Sequence, residues 1–160
     1  MPINKLNFPR LDRLATWFEG KLKLMILIAL PWIGNVFTCQ SKTQIQGKQY
    51  YVQGEQLYLK HCSNCHQKSG KGLGLLYPPL AASDYLQNKA AVFCLIKNGQ
   101  AGELTVNGKI YNQAMPGFPL LTDLEIAEIA TYIYNAWGNN EGHVEIAQVN
   151  EALKNCGGSK

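Results

Sequence analysis

The chain has 160 residues, of which 46% are hydrophobic and 16% charged. That length holds one domain with a tail and not two full-sized domains, and the composition excludes disordered and collagen-like chains. The net charge of +4 is uneven: residues 1–39 carry five cations against two acids, while the remainder carries ten Lys, no Arg and nine acids, which excludes nucleic acid as a main partner.

Residues 24–37, LMILIALPWIGNVF, form the most apolar stretch. As a helix they would span about 21 Å, short of the roughly 30 Å hydrocarbon core of a bilayer. Lys21 and Lys23 precede the stretch and the polar run QSKTQIQGKQ follows it. Residues 1–38 therefore read as a secretory signal, with residues 1–23 as n-region and 24–37 as h-region. The rivals are a buried core helix and a stop-transfer anchor adapted by mismatch. Pro31 and Gly34 interrupt a helix and favour the signal.

Cys39, in Val36-Phe37-Thr38-Cys39, resembles the Cys of a bacterial lipobox, which becomes a lipidated N-terminus. Phe37 and Thr38 are larger than that motif prefers, so an exported protein with an incidental Cys39 stays open as the alternative. Residues 39–50 read as anchor and flexible tether, residues 51–138 as the folded body and 139–160 as a tail. Export would set the remaining cysteines in an oxidising compartment, where thiols are bridged, buried or chemically engaged.

Within the body, Val52 to His61 reads as a short helix carrying Leu57 and Tyr58. QKSGKGLGLLYPPL is a Gly-rich loop closed by two prolines. A short turn around Asp84-Tyr85-Leu86 precedes a second helix over about 88–98, with Val92, Leu95 and Ile96 on one face and Gly99 as its stop. Asn107-Gly108 divides two β-prone runs, as in a type I′ hairpin. Thr122 and Glu125 form a capping box, flanked by Leu121 and Ile126 as a hydrophobic staple. Ile126, Ile129, Ala130, Ile133 and Trp137 follow as the buried stripe of the last helix. Ile146, Val149 and Leu153 recur at helical spacing in the tail. The fold class is mostly α, and a core this thin needs something at its centre.

Cys62-Ser63-Asn64-Cys65-His66 supplies it. The spacing Cys-x-x-Cys-His is that of c-type haem attachment: Cys62 and Cys65 each add across a vinyl group, and His66 offers an imidazole nitrogen to iron. A redox dithiol would sit in a βαβ pattern, which is absent. Zinc needs two more paired ligands, and Cys94, Cys156, His61 and His143 are unpaired. Met115, in Met115-Pro116-Gly117-Phe118-Pro119, is the only Met of the body, and its thioether is a candidate for the opposite axial position. Its rival role is a core gap-filler. His143 could compete for that position but reads as a solvated tail residue, and His61 as pointing outward.

The stretch from Gly54 to Trp137 resembles a class I cytochrome c. The family's first helix carries a Gly followed four residues later by an aromatic, here Gly54 and Tyr58, and an aromatic of the last helix, here Tyr132, crosses at that Gly. The family's Pro-x-Leu appears as Pro78-Pro79-Leu80. The resemblance implies a cytochrome c fold of three to four core helices around one covalent haem c, with a short hairpin before the Met115 loop. It also implies that the Pro78 carbonyl accepts the second ring proton of His66. A Cys94–Cys156 disulfide would pin the tail but cannot be read from sequence. Tyr77, Tyr85, Tyr111 and Phe118 are haem packing or ordinary core.

The implied function is one-electron transfer on the periplasmic side of a bacterial membrane, with redox proteins as partners and no small-molecule substrate at iron. The alternatives are the cytochrome subunit of a larger respiratory dehydrogenase or oxidase, and a peroxidase-like enzyme with an open distal position.

Overall fold

The computed structural model describes residues 42–156, and the signal segment and Cys39 lie outside the described residues. Its first helix, α1, runs Lys42–His61, ten residues longer than the sequence suggests. The polar run before Tyr51 is thus helix, not tether, from Lys42 onward. What holds it is distant in sequence: Tyr50 is buried, and its ring meets the His143 ring edge-on at 4.5 Å. The haem-type motif follows directly, with α2 over Ser63–His66. A 3₁₀ turn over Asp84–Gln87 leads into α3, Lys89–Asn98, whose N-cap Asn88 accepts a hydrogen bond from the Ala91 N–H.

Four short strands follow: β1 Gly99–Gln100, β2 Leu104–Val106, β3 Lys109–Tyr111 and β4 Met115–Pro116. β2 and β3 form the expected hairpin, with Asn107 and Gly108 at φ 50° and 72°, as a type I′ turn requires. β1 pairs antiparallel with β4, matching Gln100 to Met115.

Helix α4, Asp123–Ile133, opens on the expected capping box. Glu125 N–H donates to Thr122 Oγ1 at 3.2 Å, and Thr122 N–H donates to the Glu125 carboxylate at 2.8 Å. It ends at Ile133, four residues before Trp137, because side-chain amides take over its last carbonyls. Asn135 Nδ2 donates to Thr131 O at 2.7 Å and Asn139 Nδ2 to Ile133 O at 2.8 Å.

α1 and α4 cross at Gly54. A Cβ there would run into the Glu128 carbonyl and lie 3.0 Å from Tyr132 Cβ, so only glycine allows this approach.

The tail is part of the body. α5, Ile146–Lys154, has its own capping box between Glu145 and Gln148, and Val144 and Val149 are fully buried in the core. Val144 N–H donates to the buried Thr131 hydroxyl at 3.1 Å. Cys156 is bridged to Cys94 of α3. The folded body therefore covers 42–156 and not 51–138. Among the described residues, no helix is long and apolar enough to cross a membrane.

Candidate functional site

The end of α1 delivers the motif. Cys62 N–H donates to Tyr58 O at 2.8 Å and His66 N–H to Cys62 O at 3.0 Å, so the motif coils back as one helical turn. Cys62 and Cys65 are the free cysteines among the described residues. Burial, and then the neighbouring Cys65, pushes the Cys62 thiol up to about 12. The neighbouring Cys65 sulfur raises the pKa of the Tyr77 phenol.

His66 is 8% exposed. Its Nδ1 lies 2.9 Å from the Pro78 carbonyl oxygen. A carbonyl only accepts, so Nδ1 carries the proton and Nε2 keeps its lone pair. Burial lowers the His66 pKa, and the Pro78 bond offsets part of that. The ring is thus held neutral, as a metal ligand must be.

Beside His66 opens an apolar cleft bounded by Cys62, Leu80, Leu86, Leu95, Val106, Met115 and Ile133 among others. A second cleft shares His66, Pro78, Leu95, Leu104 and Met115 with it and adds Cys65, Tyr77 and Tyr111. Apart from His66, no ionisable acid or base of the Asp, Glu, Lys or Arg type lines either one. The α3 face read from sequence as Val92, Leu95 and Ile96 is one wall, and Ile129 and Ile133 of α4 form another. Tyr85 also borders the first cleft, whereas Phe118 packs on the core and meets the His61 ring edge-on at 5.2 Å.

Cys62, Cys65, His66, Pro78 and Met115 are thereby brought to one place. Two free thiols, a neutral imidazole, a thioether and mostly apolar walls without a charged Asp, Glu, Lys or Arg suit a flat, largely apolar iron porphyrin, so the residues present fit haem.

Two sequence readings need correction. His143 is not a solvated tail residue: its side chain is 12% exposed, packed on Tyr50, with Nε2 3.4 Å from the Glu145 carboxylate. It lines neither cleft. His61 is half-buried against Phe118 and does not point freely outward. Sequence reasoning also missed the cleft-lining Leu104 and Val106 and the Asp84–Asn107 contact. Their signal was the hairpin itself, whose inward face was not assigned.

Residues 51–133 match the family model described as cytochrome c oxidase, cbb3-type, subunit III. The chain is 33% identical over 91 residues to cytochrome c-552 of Thermus thermophilus, covering 54% of this chain and 69% of that relative. It is also similar to proteins described as alcohol dehydrogenase (quinone), cytochrome c subunit. The one from Gluconobacter oxydans (strain 621H) is 31% identical over 90 residues, 54% of this chain and 19% of that subunit. The one from Gluconacetobacter polyoxogenes is 32% identical over 103 residues, 61% and 22% respectively. The chain thus spans about a fifth of the length of these subunits. Because the matched span contains the α1–α4 crossing and the cleft walls from Cys62 to Ile133, the chain belongs to the class I cytochromes c, monohaem electron-transfer proteins that carry haem c covalently.

Proposed function

We propose that this chain is an exported one-electron carrier whose haem is bound through Cys62 and Cys65, with His66 and Met115 as the axial ligands. The observation that carries this reading is the sharing of one apolar cleft by His66, Met115 and the Cys62 side chain. Bound there, haem supplies an iron that changes charge by one electron with no bond to substrate made or broken. The Pro78 carbonyl orients the imidazole and fixes its tautomer. The Met115 thioether, a soft donor, favours ferrous iron and raises the potential. The uncharged walls act in the same direction, because an apolar surrounding penalises the more highly charged oxidised state.

The test is optical. The purified protein is expected to give a c-type pyridine haemochrome and the far-red band of Met-ligated ferric iron, with that band lost in Met115→Ala. A wild-type protein that lacks the band and binds carbon monoxide or cyanide rapidly would instead be the open-site, peroxidase-like enzyme.

Leu73, Leu75 and Leu76 are 51%, 69% and 46% exposed in the loop that leads to Tyr77. We assign this apolar edge to the docking of redox partners. With a nearly neutral body, partner association is expected to depend weakly on salt. Strong slowing of electron transfer between low and moderate ionic strength would contradict this.

Lys21, Lys23 and the apolar stretch 24–37 support export to the periplasmic side of a bacterial membrane, and Cys39 is the lipid-bearing residue. Mass spectrometry of the mature N-terminus tests it, a diacylglyceryl-modified Cys39 being the expected species. A second reading, the cytochrome subunit of a larger dehydrogenase, is favoured by the similarity to the quinone alcohol dehydrogenase subunits. Co-purification of a dehydrogenase with the native chain would select it.

A further inference from the structure

Residues 101–114 leave the body and return to it through one narrow neck. The neck is the β1–β4 pair, Gly99 against Pro116 and Gln100 against Met115. Between its ends the chain makes the β2–β3 hairpin. Leu104, Val106 and Tyr111 face the clefts, with Val106 and Tyr111 buried, whereas Ile110 is 60% exposed on the outer side. This segment is a flap over the site, and the residue at its hinge is Met115.

The tip of the flap is tied down separately. The Asp84 N–H donates to Asn107 Oδ1 at 2.9 Å, and the Asn107 N–H donates to the Asp84 carboxylate at 2.8 Å. Asn107 Nδ2 also donates to the Ala82 carbonyl at 3.1 Å. A type I′ turn asks only for positive φ at Asn107, which glycine would satisfy equally. The two bonds of the Asn107 side chain are therefore surplus to the turn. They run to the segment whose Ser83, Tyr85 and Leu86 border the first cleft.

We propose that the Asp84–Asn107 pair is the latch of this flap, and that unlatching is what lets a small exogenous ligand displace Met115. Asp84 and Asn107 are positioning residues, since neither lines a cleft. The gating half of the inference rests on Met115 being the axial ligand. The latching half rests on the hairpin geometry alone. Opening at the tip transmits to Met115 because β4 is the return leg of the flap, so a hairpin freed of these bonds is held by the neck pair next to the thioether and by the packing of Leu104, Val106 and Tyr111.

The experiment uses the holoprotein in four forms: wild type, Asn107→Gly, Asp84→Ala and Asp84→Asn. Asn107→Gly keeps the turn and removes two bonds. Asp84→Ala removes the third, and Asp84→Asn keeps an acceptor oxygen for it. Imidazole association with the ferric protein is expected to rise about tenfold in Asn107→Gly and severalfold in Asp84→Ala, from hydrogen bonds of ordinary strength, and to stay within about twofold of wild type in Asp84→Asn. Hydrogen exchange at amides 104–111 is expected to accelerate in the same order while α4 amides stay unchanged.

Unchanged flap exchange in Asn107→Gly and Asp84→Ala overturns the latch. Faster flap exchange with unchanged imidazole association overturns the gating, because the flap then opens without freeing Met115. A wild-type protein lacking the far-red Met band fails the axial-ligand reading instead. In that case flap exchange alone decides the latch, acceleration in the variants supporting it and constancy overturning it.

Discussion

A methyl group at Gly54 would have nowhere to go between the Glu128 carbonyl and the Tyr132 side chain. In an exposed helix, replacing Gly by Ala gains about 1 kcal/mol. At this crossing the sign reverses. Gly54→Ala is expected to cost at least ~2 kcal/mol, the scale of overpacking in a filled core, because the obstacle is backbone and cannot rotate away. Urea unfolding of the holoprotein checks it, and a gain in stability would mean that α1 and α4 separate easily. His66 is the other residue whose setting decides its chemistry. Its neutral state comes from burial and its orientation from the Pro78 carbonyl, and both follow from a loop that returns twelve residues later. The Pro-Pro-Leu run made that return legible in sequence. His143 was not legible, because its partner Tyr50 lies on the far side of the chain and nothing local marks either residue.

At the scale of elements, α4 was readable almost in full because its N-terminal signals are local: the Thr122 cap, Glu125 three residues on, and the apolar stripe. Thr122→Ala is expected to lower stability by about 1 kcal/mol. The cap also carries a pH signature. Bonds from Thr122 hold the Glu125 carboxyl below its ordinary value of 4.5. The carboxylate's contribution is thus complete above that value and is lost as pH falls through the lower, folded one. Glu125→Gln should therefore flatten the acid limb of a stability-against-pH curve, whereas Thr122→Ala, which keeps the backbone N–H bond to Glu125, should flatten it only in part; an unchanged limb in Glu125→Gln would show that the carboxylate adds nothing through this cap. The hairpin, too, was legible from Asn107-Gly108. The first turns of α1 were not, since a Gln-, Lys- and Ser-rich run looks like a linker whether or not a distant ring secures it. Nor was the C-terminal end of α4, where Asn135 and Asn139 replace backbone partners that a periodicity count assumes.

For the molecule as a whole, the tail is what the sequence underestimates most. Val144 and Val149 complete the core, and the Cys94–Cys156 bridge closes a loop of 62 residues. In the chain-entropy picture a loop of that length is worth about 4 kcal/mol. The double variant Cys94→Ala, Cys156→Ala is expected to lose that much in denaturant unfolding, while the haem absorption spectrum stays unchanged. A loss below about 1 kcal/mol would mean that the valines alone secure the tail, since burying each is worth roughly 1.5–3 kcal/mol. The haem motif announced itself in five residues. The bridge did not, because cysteine spacing says nothing of whether two Cα atoms come within reach, and here they lie 5.4 Å apart.

That bridge also imposes an order on biogenesis. Cys62, Cys65, Cys94 and Cys156 can be fully paired in three ways, and every one of them uses up both sulfurs of the motif. The mature state needs one pair oxidised and the other left as thiols until the porphyrin arrives. An oxidase acting indiscriminately on the newborn chain would trap it colourless, so thiol reduction at the motif and closure of the tail have to be handled as separate steps.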